Sequence, residues 1–199
     1  MKEERALELD RLLTNVAWAM ERGLGARDLV PMLEKVVARA PRGSSVAGVA
    51  RCQLAELLVE RAPWRAARLT QEALAEGEDD RAWAVLGLAH TLLGNYGCAK
   101  KAYTRALALA PGCASYAHNL GHLLDVALGR TREALPYLQT AHRAEPGDPE
   151  IAASYALGLA RAGRLAEACD LLARALGETP RATYRLIHRW LRRSARHHG

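Results

Sequence analysis

Three side chains that could bind a ligand or a metal ion lie close together in the middle of the chain. His118 and His122 are four residues apart, and Asp125 follows three residues later, so all three would share one face of a helix. Imidazole and carboxylate groups at this spacing can hold a divalent metal ion. They can also hydrogen-bond to a bound peptide. A metal site normally needs a further protein ligand, so hydrogen bonding to a peptide backbone is the favoured interpretation.

A second group of residues that could bind a ligand, a cluster of arginines, lies at the end of the sequence. Residues 181–199 carry six arginines and no acid, whereas the rest of the chain holds 22 of the 28 basic residues and all 22 acidic ones. The favoured interpretation is a final helix with a polar outer face. The alternative is a basic surface for acidic protein, nucleic acid or anionic lipid headgroups. The candidate residues for that surface are Arg185, Arg189, Arg192, Arg193 and Arg196.

The rest of the sequence has no pattern typical of catalysis. No nucleophile, base and orienting acid occur together, and no glycine-rich phosphate loop follows a predicted strand. The four cysteines form no CxxC pair, which favours reduced thiols packed as small apolar residues over a disulfide framework or a zinc site. We therefore expect no enzymatic activity, no cofactor and no bound metal.

The composition predicts a helical protein of the cytoplasm. Alanine and leucine dominate and phenylalanine is absent, which favours helix throughout. No apolar run approaches the roughly 20 residues of a membrane span, and the charged first residues lack the apolar stretch of a secretory signal. Arginine outnumbers lysine by 24 to 4, as is typical of a GC-rich bacterial genome.

Internal repetition organises the chain from about residue 80 onwards. Pro111, Pro146 and Pro180 are 35 and 34 residues apart. A glycine followed five residues later by alanine precedes each of them, at Gly94, Gly129 and Gly163. Each unit therefore reads as helix, glycine-marked turn, helix and proline stop, which is the pattern of a helical hairpin.

The motifs inside these units resemble the tetratricopeptide repeat, whose pattern is Trp-x2-Leu-Gly-x2-Tyr, then Ala-x3-Phe, then Pro. The first unit reads Trp83-x2-Leu86-Gly87 and continues with alanine, tyrosine and proline at the family spacing. Gly121 and Ala156 take the place of Gly87 in the next two units, and the unit of Gly121 has one extra residue in its turn. By this resemblance the small residues let the two helices of a hairpin approach closely.

The resemblance implies an all-α fold, a right-handed superhelical solenoid of about five helical hairpins with a C-terminal capping helix. We expect one domain made of an N-terminal hairpin or cap (1–45), a degenerate repeat (46–79), three clear repeats (80–113, 114–148 and 149–180) and a basic capping helix (181–199). The degenerate repeat lacks the final proline, and an acidic run between Glu72 and Asp80 replaces it.

The resemblance also implies where a partner binds, because the first helix of each tetratricopeptide hairpin lines the concave groove. The expected groove is mostly apolar, with one polar stripe in the second clear repeat, and it suits an extended or helical peptide. Asn119 stands where some family members grip a peptide, whereas the basic clamp of the chaperone-binding subfamily is missing. Glu150 is the only candidate for a further metal ligand. The expected partner-binding residues are Arg81, Leu88, Thr91, Ser115, His118, Asn119, His122, Asp125, Glu150 and Ser154, and the degenerate repeat adds Val49, Cys52, Glu56 and Val59.

The leading hypothesis is a protein–protein interaction scaffold or adaptor that binds a peptide or helix of another protein in this groove. The second is a secretion or assembly chaperone, since small proteins that look like this one serve export, with the N-terminal helices dimerising. The third is contact with nucleic acid or an anionic membrane through the arginine-rich helix. Homo-oligomerisation stays open.

Overall fold

The computed structural model describes residues 2–195, with the side chains of residues 4–179 and 181–190. Within this range the chain forms α-helices and one π-helical turn, Leu123–Ala127, and no strand. None of these helices has the length and apolar composition that crossing a bilayer requires. The helices are α1 Lys2–Glu21, α2 Ala26–Arg39, α3 Ser45–Leu58, α4 Pro63–Leu74, α5 Asp80–Leu92, α6 Tyr96–Leu109, α7 Ala114–His122, α8 Thr131–Ala144, α9 Pro149–Arg161, α10 Leu165–Leu176 and α11 Pro180–Ala195.

Local signals explain where several helices begin and turn. The side chains of Asp79 and Asp148 accept hydrogen bonds from backbone amides in the first turns of α5 and α9, which satisfies donors that have no partner within the helix. The turns after α5 and α9 contain Gly94 and Gly163, with φ of 73° and 84°. Glycine adopts this left-handed conformation without the steric cost that a Cβ brings.

The chain divides into two compact units, Met1–Leu109 and Ala110–Gly199. The first unit contains α1 to α6 and the second contains α7 to α11, and within each unit consecutive helices pack against one another. The division falls close to the boundary between the first two clear repeats predicted from the sequence. Each unit is therefore a set of helical hairpins, and the all-α repeat fold is confirmed.

The core of the first unit lies between its hairpins and consists of aliphatic side chains such as Leu33, Val36 and Leu54. At Gly87 the two helices of the α5–α6 hairpin come so close that a Cβ would lie 2.6 Å from Cδ1 of Tyr103. The tyrosine ring is buried and fills the space that the missing side chain leaves. This is the close approach that the repeat pattern implied.

The core of the second unit is built in the same way, from Leu120, Leu124, Leu138 and Leu159. A Cβ at Gly121 would lie 2.8 Å from Cγ of Leu138 and 3.2 Å from its backbone nitrogen. The contact involves main chain as well as side chain, so the α7–α8 hairpin has no room for a larger residue at this position.

The last described helix, α11, packs on α9 and α10 through Thr183 and Ile187, which are both buried. The hydroxyl of Thr183 donates a hydrogen bond of 3.1 Å to the carbonyl of Cys169. Helical periodicity would also allow Tyr184 to face inward, but its side chain is exposed and its ring centre lies 4.8 Å from that of His188, with the two planes tilted. The buried position one turn before Ile187 is therefore occupied by a threonine whose hydroxyl is hydrogen-bonded.

The extra residue of the second clear repeat lies in a helix and not in the turn where the sequence placed it. Residues Leu123–Ala127 wind as a π-helical turn at the end of α7, and the amide of Leu128 bonds to the carbonyl of Leu123 at 3.1 Å. A π-helical turn accommodates an inserted residue within a helix. The insertion thus changes the direction in which the side chains of this turn point.

Candidate partner-binding faces

The centre of the candidate face in the second unit is a hydrogen bond between two first helices. Nε2 of His118 on α7 and Oγ of Ser154 on α9 lie 2.9 Å apart. His118 is buried, and this burial, followed by the proximity of His122, lowers the pKa of its imidazole below the usual range. The ring is therefore neutral at physiological pH, and one of its nitrogens accepts while the other donates.

Several predicted groove residues surround this bond. His122 is exposed, and its ring centre lies 5.8 Å from that of His118. Ser115 and Glu150 are exposed at the first turns of α7 and α9, and Asn119 is half-buried. The structure therefore brings the α7 residues and the bond to Ser154 together on one face, with groups that can donate and accept hydrogen bonds.

Asp125 does not belong to this exposed group. Its side chain is buried and forms a two-pronged ion pair with the guanidinium of Arg161 on α9, Nε lying 2.9 Å from Oδ1 and Nη2 bonding to Oδ2. The hydroxyl of Thr131 donates a third hydrogen bond to Oδ1, at 2.7 Å. Arg161 in turn stacks its guanidinium 4.5 Å from the ring centre of Trp190. The aspartate joins the π-helical turn to α8, α9 and, through Arg161, α11.

Two of the three side chains that first indicated a metal site are thus held in different bonds. His118 bonds to Ser154, while Asp125 is paired with Arg161. Among the residues described by the structure, no three His, Cys, Asp or Glu side chains form a group that could hold a metal ion.

In the first unit, an ion pair joins the two neighbouring first helices. Nε and Nη2 of Arg81 on α5 donate to Oε1 and Oε2 of Glu56 on α3, at 3.1 Å and 2.8 Å. The bond to Glu56 raises the pKa of the Arg81 guanidinium further above its ordinary value. Leu88 and Thr91 are half-buried on the same helix, and the hydroxyl of Thr91 donates to the carbonyl of Gly87 at 2.9 Å. Arg81 is therefore bound within the chain and not free for a partner's carboxylate.

One region of the first unit brings together more ionisable side chains than the sequence analysis predicted as binding residues. The connection between α4 and α5 brings Glu76, Glu78 and Asp79 beside Cys52 of α3. Burial, and then the negative charges of Glu56 and Asp79, raise the pKa of the Cys52 thiol to about 12. The sequence signal for this region was the acidic run that replaces the repeat's final proline.

The basic surface expected at the end of the chain is described only in part. Arg185 and Arg189 are exposed on α11. The side chains of Arg192 and Arg193, and all of Arg196, lie outside the described residues.

Two family models, both described as tetratricopeptide repeat, match residues 80–113 and 125–191 of the chain. Together these segments make up about half of the sequence and contain α5, α6, α8, α9 and α10. The chain is a tetratricopeptide repeat protein. The predicted resemblance is confirmed, and with it the general character of a protein-interaction scaffold, because tetratricopeptide repeats mediate binding to other proteins.

Solved structures of MamA proteins share the fold of this tetratricopeptide repeat protein. A crystal structure of MamA has a TM-score of 0.70 at 19% identity, covering 89% of this chain and 92% of that one. MamA from Desulfovibrio magneticus RS-1, residue 41 to the end, has a TM-score of 0.71 at 14% identity, covering 85% and 93%. No curated protein matches the sequence significantly. At these identities the likeness concerns the fold alone.

Proposed function

We propose that this tetratricopeptide repeat protein is an adaptor that binds a peptide or helix of another protein on the faces formed by the first helices of its hairpins. The observation that carries the proposal is that side-chain bonds join successive first helices within each unit. Arg81 and Glu56 join α5 to α3, and His118 and Ser154 join α7 to α9. Such bonds fix the neighbouring helices in a preorganised surface, which lowers the entropic cost of binding.

The side chains around these bonds fit an uncharged peptide backbone in the second unit. The exposed ring of His122 and the amide of Asn119 can each accept and donate hydrogen bonds, while Nε2 of His118 is already bonded to Ser154. The carboxylate of Asp125 and the guanidinium of Arg161 are paired with each other. No catalytic role belongs to the proposal. We place the adaptor in the cytoplasm, where its free cysteines stay reduced.

The proposal is tested by affinity purification from the source cell with the tagged full chain as bait. The test variant is Asn119→Ala with His122→Ala on α7, a half-buried and an exposed residue. Its matched control is Gln139→Ala with Thr140→Ala on α8, which is again a half-buried and an exposed residue, on the second helix of the same hairpin.

We expect that proteins captured by the native chain and by the control are lost from the α7 variant. All three baits must show equal helicity by circular dichroism. If the α7 variant retains every protein that the native chain captures, then this face of the second unit does not bind the partner.

A further inference from the structure

Two small clefts lie side by side on the first-helix face of the first unit. One, which we call the apolar cleft, opens between α1 and α3 over α2 and is lined mainly by Leu13, Val16, Leu33, Val36, Val46 and Val49. The other, the acidic cleft, lies between α3 and the α4–α5 connection and is lined by Val49, Cys52, Glu76, Glu78 and Asp79 with small residues around them. The two clefts share Ser45 and Val49. Val49 is a ridge between them, and its side chain is 52% exposed.

The size of the clefts indicates what each can hold. Their volumes are about 210 Å³ and 180 Å³, below the range of about 300–1,000 Å³ typical of small-molecule pockets. Each cleft therefore has room for one side chain of a partner. The exposed valine between them offers an apolar contact for the peptide that would connect the two side chains. The apolar cleft offers only Ser45 and Gln53 as polar residues in its lining, so it suits an aliphatic side chain.

The acidic cleft contains a carboxylate, that of Glu76, of which only one oxygen accepts hydrogen bonds from the described residues. Oε1 of Glu76 accepts hydrogen bonds from Nη1 of Arg51 at 2.6 Å and from the amide of Gly43 at 3.2 Å. Its Oε2 is buried and accepts none from the described residues. The absence of a side chain at Gly48 makes room for this oxygen, since a Cβ there would lie 3.2 Å from it. A buried acceptor without a donor is costly, and a cationic donor is the partner that it binds most strongly.

The charge of the lining agrees with a cationic ligand. Among the described residues that line the acidic cleft, three are acidic and none is basic. The pKa of the neighbouring Cys52 thiol agrees with this, because the negative charges of Glu56 and Asp79 add to burial in raising it. Glu76 and Glu78 also pair with Arg51 and Arg105, which lie outside the lining, so a basic group of the partner would join carboxylates whose charge is already partly balanced within the chain.

We infer that these two clefts form one docking surface for a segment of a partner protein that presents an aliphatic side chain next to a lysine or arginine. The aliphatic group enters the apolar cleft, and the basic group enters the acidic cleft on the other side of Val49, beside the carboxylate of Glu76. The inference rests on the proposed function and deepens it, because it names the chemistry of the partner and assigns binding to residues on α3 and the α4–α5 connection.

The probe for the test is a phage-displayed library of random peptides selected on the full chain. We expect the selected peptides to be enriched in an aliphatic residue adjacent to lysine or arginine. The best peptide is then synthesised with a fluorescent label and titrated by anisotropy against the native chain and four variants.

Two variants alter the docking surface, and two are matched controls. Val49→Lys places a positive charge on the ridge, where it would repel the basic group of the peptide, and Val126→Lys alters a valine of almost equal exposure, 49%, in the second unit. Glu76→Gln removes the buried charge, and Glu72→Gln removes an exposed one that also pairs with Arg51. We expect the first variant of each pair to weaken binding about tenfold or more, as for the loss of a charge-assisted hydrogen bond, and the controls to bind like the native chain. All variants are first checked by thermal denaturation, and Val49→Lys decides the test if Glu76→Gln unfolds.

The decisive measurement is the coupling between Glu76 and the peptide's basic residue. Replacing that residue by glutamine should weaken binding to the native chain and leave binding to Glu76→Gln almost unchanged. Equal losses against both proteins would overturn the inference. Peptides that bind through the second unit, losing affinity with Asn119→Ala and His122→Ala but not with Val49→Lys, would also overturn it while leaving the proposed function intact. If the native chain enriches no peptide over an unrelated helical protein, both proposals fail.

Discussion

Alanine substitution at two glycines that face the same leucine tests how closely the helices of the second unit approach. Gly121 lies on α7 and Gly158 on α9, and both point at Leu138 of α8. In an open helix, glycine to alanine stabilises by about 1 kcal/mol. The substitution is identical at the two positions and the facing residue is shared, so any difference between the variants comes from the space available.

The distances predict different changes in stability for the two substitutions. A Cβ at Gly121 would lie 2.8 Å from Cγ of Leu138 and 3.2 Å from its backbone nitrogen, so rotating the leucine cannot relieve the clash. Overpacking of this kind costs about 1–3 kcal/mol, and a contact with main chain places the cost in the upper part of that range, about 2–3 kcal/mol. Net of the gain of about 1 kcal/mol in helix propensity, we expect Gly121→Ala to destabilise by about 1–2 kcal/mol. At Gly158 the nearest atom is the Cδ1 methyl of Leu138, at 3.1 Å. That methyl can shift, so Gly158→Ala should lie within about 0.5 kcal/mol of the native chain.

The measurement is urea denaturation followed by circular dichroism, with the midpoint and slope compared for each variant. Combining Gly121→Ala with Leu138→Ala should recover part of the loss, because the smaller side chain removes the nearest clash. Leu138→Ala alone provides the reference for that comparison. If Gly121→Ala is as stable as the native chain, or more stable, the close approach of α7 and α8 is not what glycine serves at this position.

Two further predictions concern buried charges and thiols. Asp125→Asn should destabilise the chain by about 2 kcal/mol in the same assay, since it leaves the Arg161 guanidinium without its anion. Glu167→Gln breaks the exposed pair with Arg164 and should leave the urea midpoint almost unchanged. Equal effects of the two substitutions would show that Asp125 is not a buried partner. Burial raises the pKa values of Cys52 and Tyr103 to about 12, above their unfolded values of about 9 and 10. The unfolded chain therefore loses these protons first, so the contribution of the two groups to the free energy of unfolding is fully present below about pH 9 and falls as the pH rises towards 12. Urea midpoints that stay constant between about pH 8 and pH 11 would contradict this.

The hairpins and the family could be predicted from the sequence because their signals are local. Proline stops, left-handed glycines such as Gly94, and the close approach at Gly87 each occupy a fixed place in a repeat of about 34 residues. Such residues act on their own helix or on its direct neighbour, and their spacing is enough to identify them.

The two features that the sequence did not predict depend on contacts between distant residues. Thr183 and Tyr184 lie four and three residues before the buried Ile187, so helical periodicity allows either to face inward. The choice is made by the carbonyl of Cys169, which satisfies the threonine hydroxyl. In the same way, the half-satisfied carboxylate of Glu76 depends on Arg51 and on the space left at Gly48, neither of which is part of the acidic run itself.

The π-helical turn after α7 explains why the polar stripe differs from its sequence pattern. In a continuous α-helix, Asp125 would lie on the face of His118 and His122. The inserted residue is accommodated as the turn Leu123–Ala127, and Asp125 bonds to Arg161 and Thr131 instead. The carboxylate is thereby neutralised, and α7 presents to its partner only groups that form hydrogen bonds. In the first unit, by contrast, the carboxylate of Glu76 keeps a buried oxygen that accepts no hydrogen bond from the described residues. By the functions proposed here, the two units would select for different chemistry in a partner, a peptide backbone in the second and a basic side chain in the first.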